Sequence, residues 1–267
     1  MSFERVSFIN GGDCAQLGYF AGSTKRGLTR FHSVFIVLEH ARHGVSLIDT
    51  GYSPFFFDAT RTFPQRLYRW MLPVRLDEKK HAAAMVAGPV SEICISHFHG
   101  DHIAGLRHFP DSRFVYRRTA HEKLMRQTPL RQTCHGFLPG LLPDDFTQRG
   151  PGVEEDAFTP GTGRFDGLRT LDHYGDGDLL LVDLPGHAPG HTGFAFRTQR
   201  EQFFYIADAC WDRDAMLAGR PLPRVSGWLQ HSLDAYADTQ ERLRRFATHN
   251  DWQMLACHCP RTQAYVD

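Results

Sequence analysis

Apolar residues fall in short runs broken by turn residues, and only a few stretches carry helical spacing. Phe35-Ile36-Val37-Leu38 and Val45-Ser46-Leu47-Ile48 read as the two strands of a hairpin. Val90, Ile93, Cys94 and Ile95 read as a short buried strand, and Phe114-Val115-Tyr116 as the next. From Leu168 the strand pattern returns, with Leu179-Leu180-Leu181-Val182, Phe194-Ala195-Phe196, Phe203-Phe204-Tyr205-Ile206 and finally Met254-Leu255-Ala256. Residues 77–87 read as a helix capped by Asp77 and stopped by Gly88-Pro89. Another helix begins at Ile103-Ala104-Gly105-Leu106. Residues 232–246 form an amphipathic helix with Ser232 as its cap and Leu233, Tyr236, Leu243 and Phe246 on one side. Strands and helices interleave without an internal repeat. This predicts one α/β domain over residues 1–267.

Two stretches stand outside that pattern. Residues 52–76 carry Phe55-Phe56-Phe57, then Phe63, Leu67, Tyr68, Trp70, Met71 and Leu72, with Arg61, Arg66 and Arg69 between them. They read as a basic amphipathic helix packed on the core, or as a lid over an apolar substrate. Residues 119–165 include the apolar loop Leu138-Pro139-Gly140-Leu141-Leu142-Pro143, either a second substrate wall or a surface irregularity. Both stretches are candidate lid insertions.

Composition narrows the function classes. The 267 residues carry 30 Lys+Arg against 30 Asp+Glu, which disfavours nucleic-acid binding by bulk attraction. Six scattered cysteines form no disulfide framework. The start has no basic region followed by an apolar core, and no apolar run is long enough to span a membrane. The expectation is a soluble, reduced, cytoplasmic protein with no membrane partner. The 16 histidines hint at metal or proton chemistry.

That hint sharpens at Ile95-Ser96-His97-Phe98-His99-Gly100-Asp101-His102, which packs three histidines and one carboxylate into six residues after a strand end. In extended backbone, alternate residues face the same way, so His97, His99 and Asp101 converge on one point. Imidazole and carboxylate suit Zn²⁺ or a similar first-row divalent ion.

Further candidates also sit at strand ends. His187 follows Leu184-Pro185-Gly186, Asp208 follows Tyr205-Ile206-Ala207, and His258 follows Met254-Leu255-Ala256-Cys257. His191, farther from its strand, reads as structural. Open α/β sheets gather ligands at strand C-termini. Five imidazoles and two carboxylates suit two ions. His97, His99 and His187 would hold one, Asp101, His102 and His258 the other, and Asp208 would bridge. Asp49-Thr50-Gly51 reads as a turn after a strand, with Asp49 either holding backbone or supporting the site. Cys210, Cys257 and Cys259 read as small buried residues beside the site rather than ligands.

The order His97-x-His99-x-Asp101-His102, then His187 in a Pro-Gly-His turn, then Asp208, then His258, with Asp49-Thr50-Gly51 upstream, resembles the metallo-β-lactamase superfamily. The resemblance spans roughly residues 30–260. It implies an αβ/βα four-layer sandwich of two mixed β-sheets with helices outside and the site along one edge. True β-lactamases usually lack the bridging Asp. Glyoxalase II enzymes carry a further helical region, and the tRNA-processing ribonucleases a basic RNA-handling arm. Flavodiiron proteins replace the second motif His by Glu. The chain looks most like the N-acyl-homoserine lactonases and related thioesterase-like enzymes. Those lactonases often carry a Tyr three residues after the bridging Asp. Here Trp211 stands there and offers no phenol.

The resemblance implies a hydrolase with two divalent ions, Zn first and Fe or Mn as alternatives. A hydroxide shared between the ions would attack a lactone, ester or thioester of a small apolar substrate. Asp101 and Asp208 are the candidate catalytic carboxylates, and Phe55, Phe56, Phe57 and Trp211 the candidate substrate contacts. The alternatives are a mononuclear iron enzyme like the persulfide dioxygenases, and a catalytically weak regulatory or binding protein on the same fold. A small-molecule acyl substrate is the expected partner, with a homodimer as the expected assembly.

Overall fold

Continuous apolar strands need cover on both faces, and two stacked sheets with helices outside supply it. The computed structural model describes residues 2–22, 27–77, 79–150, 152–227, 229–249 and 251–266. β1 (Arg5–Leu17), β2 (Leu28–His40) and β3 (Gly44–Ile48) form an antiparallel meander. β4 (Val74–Arg75) extends the outer edge of β1. β5 (Glu92–Cys94) and β6 (Arg113–Val115) add in parallel beyond β3, giving the order β4-β1-β2-β3-β5-β6. The second sheet comprises β7 (Thr159–Pro160), β8 (Arg169–Asp172), β9 (Leu179–Asp183), β10 (Thr192–Arg197), β11 (Gln202–Ala207) and β12 (Gln253–Ala256). These pair in sequence, antiparallel except for the parallel β11–β12 pair.

Period-two alternation sorts the side chains into layers. Val34, Ile36 and Leu38 face Leu179, Leu181, Phe194, Phe196 and Tyr205 between the sheets. Phe35 and Val37, one residue out of phase, face the outer helices with Leu47 and Ile93. On the far side, Val182, Phe204 and Ile206 pack against Leu243 and Phe246. The sandwich is therefore αβ/βα with both sheets mixed.

The sequence pattern misses β1 altogether. Its Gly11-Gly12 pair and polar Asn10 and Asp13 hide the alternation, and the register to β2 shifts between Asn10 and Asp13.

The helices depart more from expectation. Residues 52–76 are not one amphipathic helix. They fold as α1 (Pro54–Ala59) and α2 (Arg66–Met71), because Pro64 has no amide hydrogen to continue a helix. Residues 77–87 shrink to one turn, α3 (Ala82–Met85), with His81 rather than Asp77 at its N-cap. Asp77 instead accepts from the Lys79 amide, and Glu78 lies outside the described residues. The helix expected from Ile103 starts earlier, as α4 (Gly100–Ile103), so Asp101 and His102 ride on a helical turn rather than an extended loop.

Residues 119–165 fold as α5 (Arg118–Met125), α6 (Pro129–Cys134) and a series of 3₁₀ turns. Leu138 and Leu141 are fully buried in the core under the first sheet, so this apolar loop is no surface irregularity. The remaining helices are α7 (Arg213–Leu217), α8 (Arg224–Gly227) and α9 (Leu233–Ala247). Ser232 caps α9, its hydroxyl accepting from the Ala235 amide, but Leu233 is half exposed and only Tyr236, Thr239, Leu243 and Phe246 are buried.

Candidate metal centre

The chain turns at the C-terminal ends of β3, β5, β9, β11 and β12, and these exits share one edge of the sandwich. Cross-connections lock them together: the Asp49 amide donates to the Cys94 carbonyl, the Thr192 amide to Ser96, and the Cys257 amide to Ala207. Two exits have left-handed backbone at non-glycine residues, Asp49 (φ 61°) and Ala207 (φ 44°). Such strain persists where surrounding structure enforces it, and here it aims Asp49 itself and, after Ala207, Asp208 inward.

All seven predicted ligands converge there. His97, His99, His187 and Asp208 form one group of facing donor atoms; His102, His258 and Asp208 form a second, with Cys257. Asp208 joins the two. Its Oδ2 lies 3.5 Å from His187 Nε2 and 3.1 Å from His258 Nε2, and its Oδ1 lies 3.4 Å from His102 Nε2. Asp101 belongs with the second group, its Oδ2 being 3.3 Å from His258 Nε2 and 3.6 Å from His102 Nε2. The helical turn is what swings Asp101 away from His97 and His99, so those three do not share one point. A tetrahedral ion with arms of about 2.0–2.1 Å sets its donors about 3.3–3.4 Å apart, close to these spacings.

Three of the imidazoles are oriented by their other nitrogen. His187 Nδ1 pairs with Gln230 Oε1 at 2.9 Å, His258 Nδ1 with the His32 carbonyl at 2.7 Å, and His102 Nδ1 with Asp49 Oδ2 at 2.7 Å. Asp49 also accepts from the Ser96 amide and hydroxyl at 2.8 and 2.7 Å. It thus does both things its position allowed: it holds a turn and it orients a cluster histidine. His99 turns the opposite way, with Nδ1 inward at 3.2 Å from His187 Nε2. Gly136 sets that ring: at φ 67°, a Cβ there would lie 2.7 Å from His99 Cδ2. His191 is engaged on both nitrogens, with the Leu184 carbonyl and the Asp208 amide, which leaves no lone pair for an ion.

His97 Nε2, His102 Nε2 and Asp208 Oδ1 are buried with no hydrogen-bond partner among the described residues. Buried polar atoms are rarely left so, and these face one another. Burial pushes His97, His99 and His187 toward the neutral form, His99 to about 3. Burial opposes charge on His102 and His258 as well, yet the surrounding carboxylates raise both above the ordinary imidazole range. A divalent cation neutralises the same carboxylates and takes the same lone pairs once those protons leave. The residues therefore fit a pair of divalent ions.

Residues 28–249 match the family model of the metallo-beta-lactamase superfamily. The chain belongs to that superfamily. Among its metallo-beta-lactamase relatives, N-acyl homoserine lactonase AttM of Agrobacterium fabrum is 28 % identical over 178 residues, covering 64 % of this chain. The match spans only 59 % of that relative's length. A Mycobacterium tuberculosis protein named "Probable metallo-hydrolase Rv2300c" is 26 % identical over 239 residues, 82 % of this chain and 72 % of the relative. In fold, the chain is similar to an N-acyl homoserine lactone hydrolase solved with N-hexanoyl-L-homoserine at its catalytic metal center. That likeness has a TM-score of 0.71 at 17 % identity, over 100 % of this chain and 98 % of the other. The dizinc lactonase AidC is also similar, with a TM-score of 0.64 at 14 % identity, over 97 % of this chain and 90 % of the other.

The candidate substrate residues separate. Trp211 stands at the cluster, its Nε1 donating to Asp208 Oδ2 at 3.0 Å and its ring edge-on to His187. Phe56 is fully buried against Tyr52 and Tyr68, so it offers no surface to a substrate. Its ring backs Gly100, under the turn that carries Asp101. Phe55 packs on His108 beneath Arg107, and Phe57 lies beneath Arg69. Cys257 Sγ accepts from the Val34 amide, so it also serves the sheet behind the cluster. Sequence reading missed Gln230, Gly136 and Tyr68, whose hydroxyl reaches Asp101 Oδ1 at 3.5 Å. A lone Gln, Gly or Tyr carries no local signal for such a contact.

Proposed function

We propose that the chain is a two-ion hydrolase that opens an acyl lactone or related ester. The observation that carries this reading is the set of buried, mutually facing donors His97 Nε2, His102 Nε2 and Asp208 Oδ1. His97, His99 and His187 would hold one ion, Asp101, His102 and His258 the other, and Asp208 both. Similarity to N-acyl homoserine lactonase AttM supports the substrate class. Zinc is the first candidate, given the imidazole-rich set and the fold shared with a dizinc lactonase. Six unpaired cysteines suit a reducing, cytoplasmic setting. Among the described residues no helix is long and apolar enough to cross a membrane.

When bound, the ions supply Lewis acidity for the acyl carbonyl and lower the pKa of water from about 15.7 toward 7. The protein does the rest. Asp101 and Asp208 are carboxylates within the cluster that can take the proton from the attacking water and return it to the leaving oxygen. Gln230, Asp49 and the His32 carbonyl fix which nitrogen of His187, His102 and His258 faces inward. Trp211 covers the flank beside His187. The segments 52–76 and 119–165 border the cluster: Gly136 lies against His99, and the Tyr68 hydroxyl reaches Asp101. A mononuclear iron enzyme would use only part of this ligand set, and a mere binding protein would have no need of it.

The test is a hydrolytic panel on zinc-loaded protein: N-acyl-homoserine lactones of short and long chain, an acyl thioester and a phosphodiester. Lactone opening in excess of the other two is expected. Two bound ions without turnover of any acyl substrate would sink the hydrolase reading. One iron per chain with oxygen uptake would replace it with the oxidative one.

A further inference from the structure

We propose that Tyr68 is a positioning residue that holds Asp101 for the second ion and thereby couples α2 to occupancy of that ion. The inference rests on the two-ion reading above. The two oxygens of Asp101 face different partners. Oδ2 points at His258 Nε2 and His102 Nε2, 3.3 and 3.6 Å away, which is the ion's side. Oδ1 points the other way, toward the Tyr68 hydroxyl at 3.5 Å. Both side chains are buried, with Tyr68 at 8 % and Asp101 at 7 % exposure, so water does not compete freely for the contact.

A phenol donating to Oδ1 leaves Oδ2 as the one oxygen free to ligate. It also restrains the carboxylate about its last torsion, which is otherwise broad. Partners of this kind behind a ligand typically change metal affinity 10- to 100-fold, by about the same route as the carboxylates behind ligating histidines.

The donor comes from a short element whose other ties, Arg69 over Phe57 and Gln16 Nε2 donating to the Met71 carbonyl, lie away from the ligands. α2 has only six residues, follows the Pro64 bend, and exposes Trp70 and Met71. Tyr68 is its one buried residue, its ring edge-on to Phe56 at 5.5 Å. Binding free energies are reciprocal. If Tyr68 favours the second ion through Asp101, that ion must favour the ordered α2 by the same factor.

The experiment compares wild type with Tyr68→Phe, which keeps the ring and removes only the hydroxyl. Chelator competition with Zn²⁺ or Co²⁺ measures the two affinities separately, and hydrogen exchange follows the amides of residues 66–71 with and without metal. Thermal unfolding of the chelator-treated proteins checks that the variant folds. The expected result is second-ion affinity about tenfold weaker or more, first-ion affinity unchanged, and loss of the metal-induced slowing of exchange in α2 that wild type displays. An unchanged second-ion affinity overturns the inference, as does metal-induced protection of α2 that persists in the variant. If wild type itself binds only one ion, the two-ion reading fails first and the inference falls with it.

Discussion

The indole Nε1 of Trp211 donates to Oδ2 of Asp208 at 3.0 Å. That oxygen is also the one nearest His187 and His258, one imidazole from each group. Trp211 is therefore tied to the carboxylate that joins the two halves of the cluster. Hydrogen bonds to charged groups contribute about 1.5–3 kcal/mol. Trp211→Phe keeps the flat ring against His187 and loses the donor. We expect total metal affinity to fall about tenfold or more, read by chelator competition, with folding intact. Unchanged affinity would leave Trp211 a packing residue only.

Asp208→Asn keeps the shape and loses the charge. With one carboxylate shared between both groups, we expect fewer than two ions per chain by elemental analysis and at least a hundredfold drop in acyl hydrolysis. Retention of two ions would refute a bridge.

Asp49 accepts from His102 Nδ1, the Ser96 amide and the Ser96 hydroxyl, all while fully buried. Removing one partner of a buried charged network typically costs about 3–5 kcal/mol. Asp49→Ala should therefore lower stability by about 3 kcal/mol in urea unfolding of chelator-treated protein. Asp49→Asn should do less harm, because Asn tolerates the left-handed backbone at this position and still offers an acceptor. Equal losses for the two variants would point away from the hydrogen bonds.

Gly136 separates the two groups by the opposite route from Tyr68. A methyl group there would press on the His99 ring at 2.7 Å, from a backbone with φ 67°. Gly136→Ala should weaken the first ion about tenfold and spare the second. A uniform loss of both would mean that the segment acts on the whole edge rather than on His99.

At the far end of the sandwich, Glu92 of the first sheet accepts from His173 Nε2 at 3.0 Å and from the Tyr174 hydroxyl at 2.5 Å, both in the bend that follows β8 of the second. Burial alone would raise its carboxyl, but these donors outweigh burial and hold it below the ordinary 4.5. A depressed folded pKa means the contribution is complete above the unfolded value and is lost as pH falls through the folded one. Urea midpoints measured from about pH 6 down to about pH 3 should fall less steeply for Glu92→Gln than for wild type. Parallel curves would show that this clasp does not set acid stability.

The strands were legible because their signal is local. Phe35 to Leu38 and Phe203 to Ile206 alternate between two buried faces, and each run stops at turn chemistry. β1 was not legible, because its glycines and the register shift after Asn10 break the period. Residues 52–76 carry the amphipathic spacing of one helix, but Pro64 divides them into α1 and α2. Asp77 is no cap: its carboxylate accepts from the Lys79 amide, and the single turn of α3 begins only at Ala82, behind His81.

By itself the sequence determined the run of strands, the ligand-type residues at their ends and membership of a superfamily whose order of histidines and aspartates it carries. These follow from chemistry read within a few residues. Only the tertiary structure decided that Asp101 is carried on a helical turn, that Phe56 is core, that Trp211 grips Asp208, and that a tyrosine 33 residues away reaches Asp101. Each of these depends on how a helical turn or a sheet register rotates a side chain in space, and contacts between distant segments leave no periodicity in the chain for local patterning to reveal.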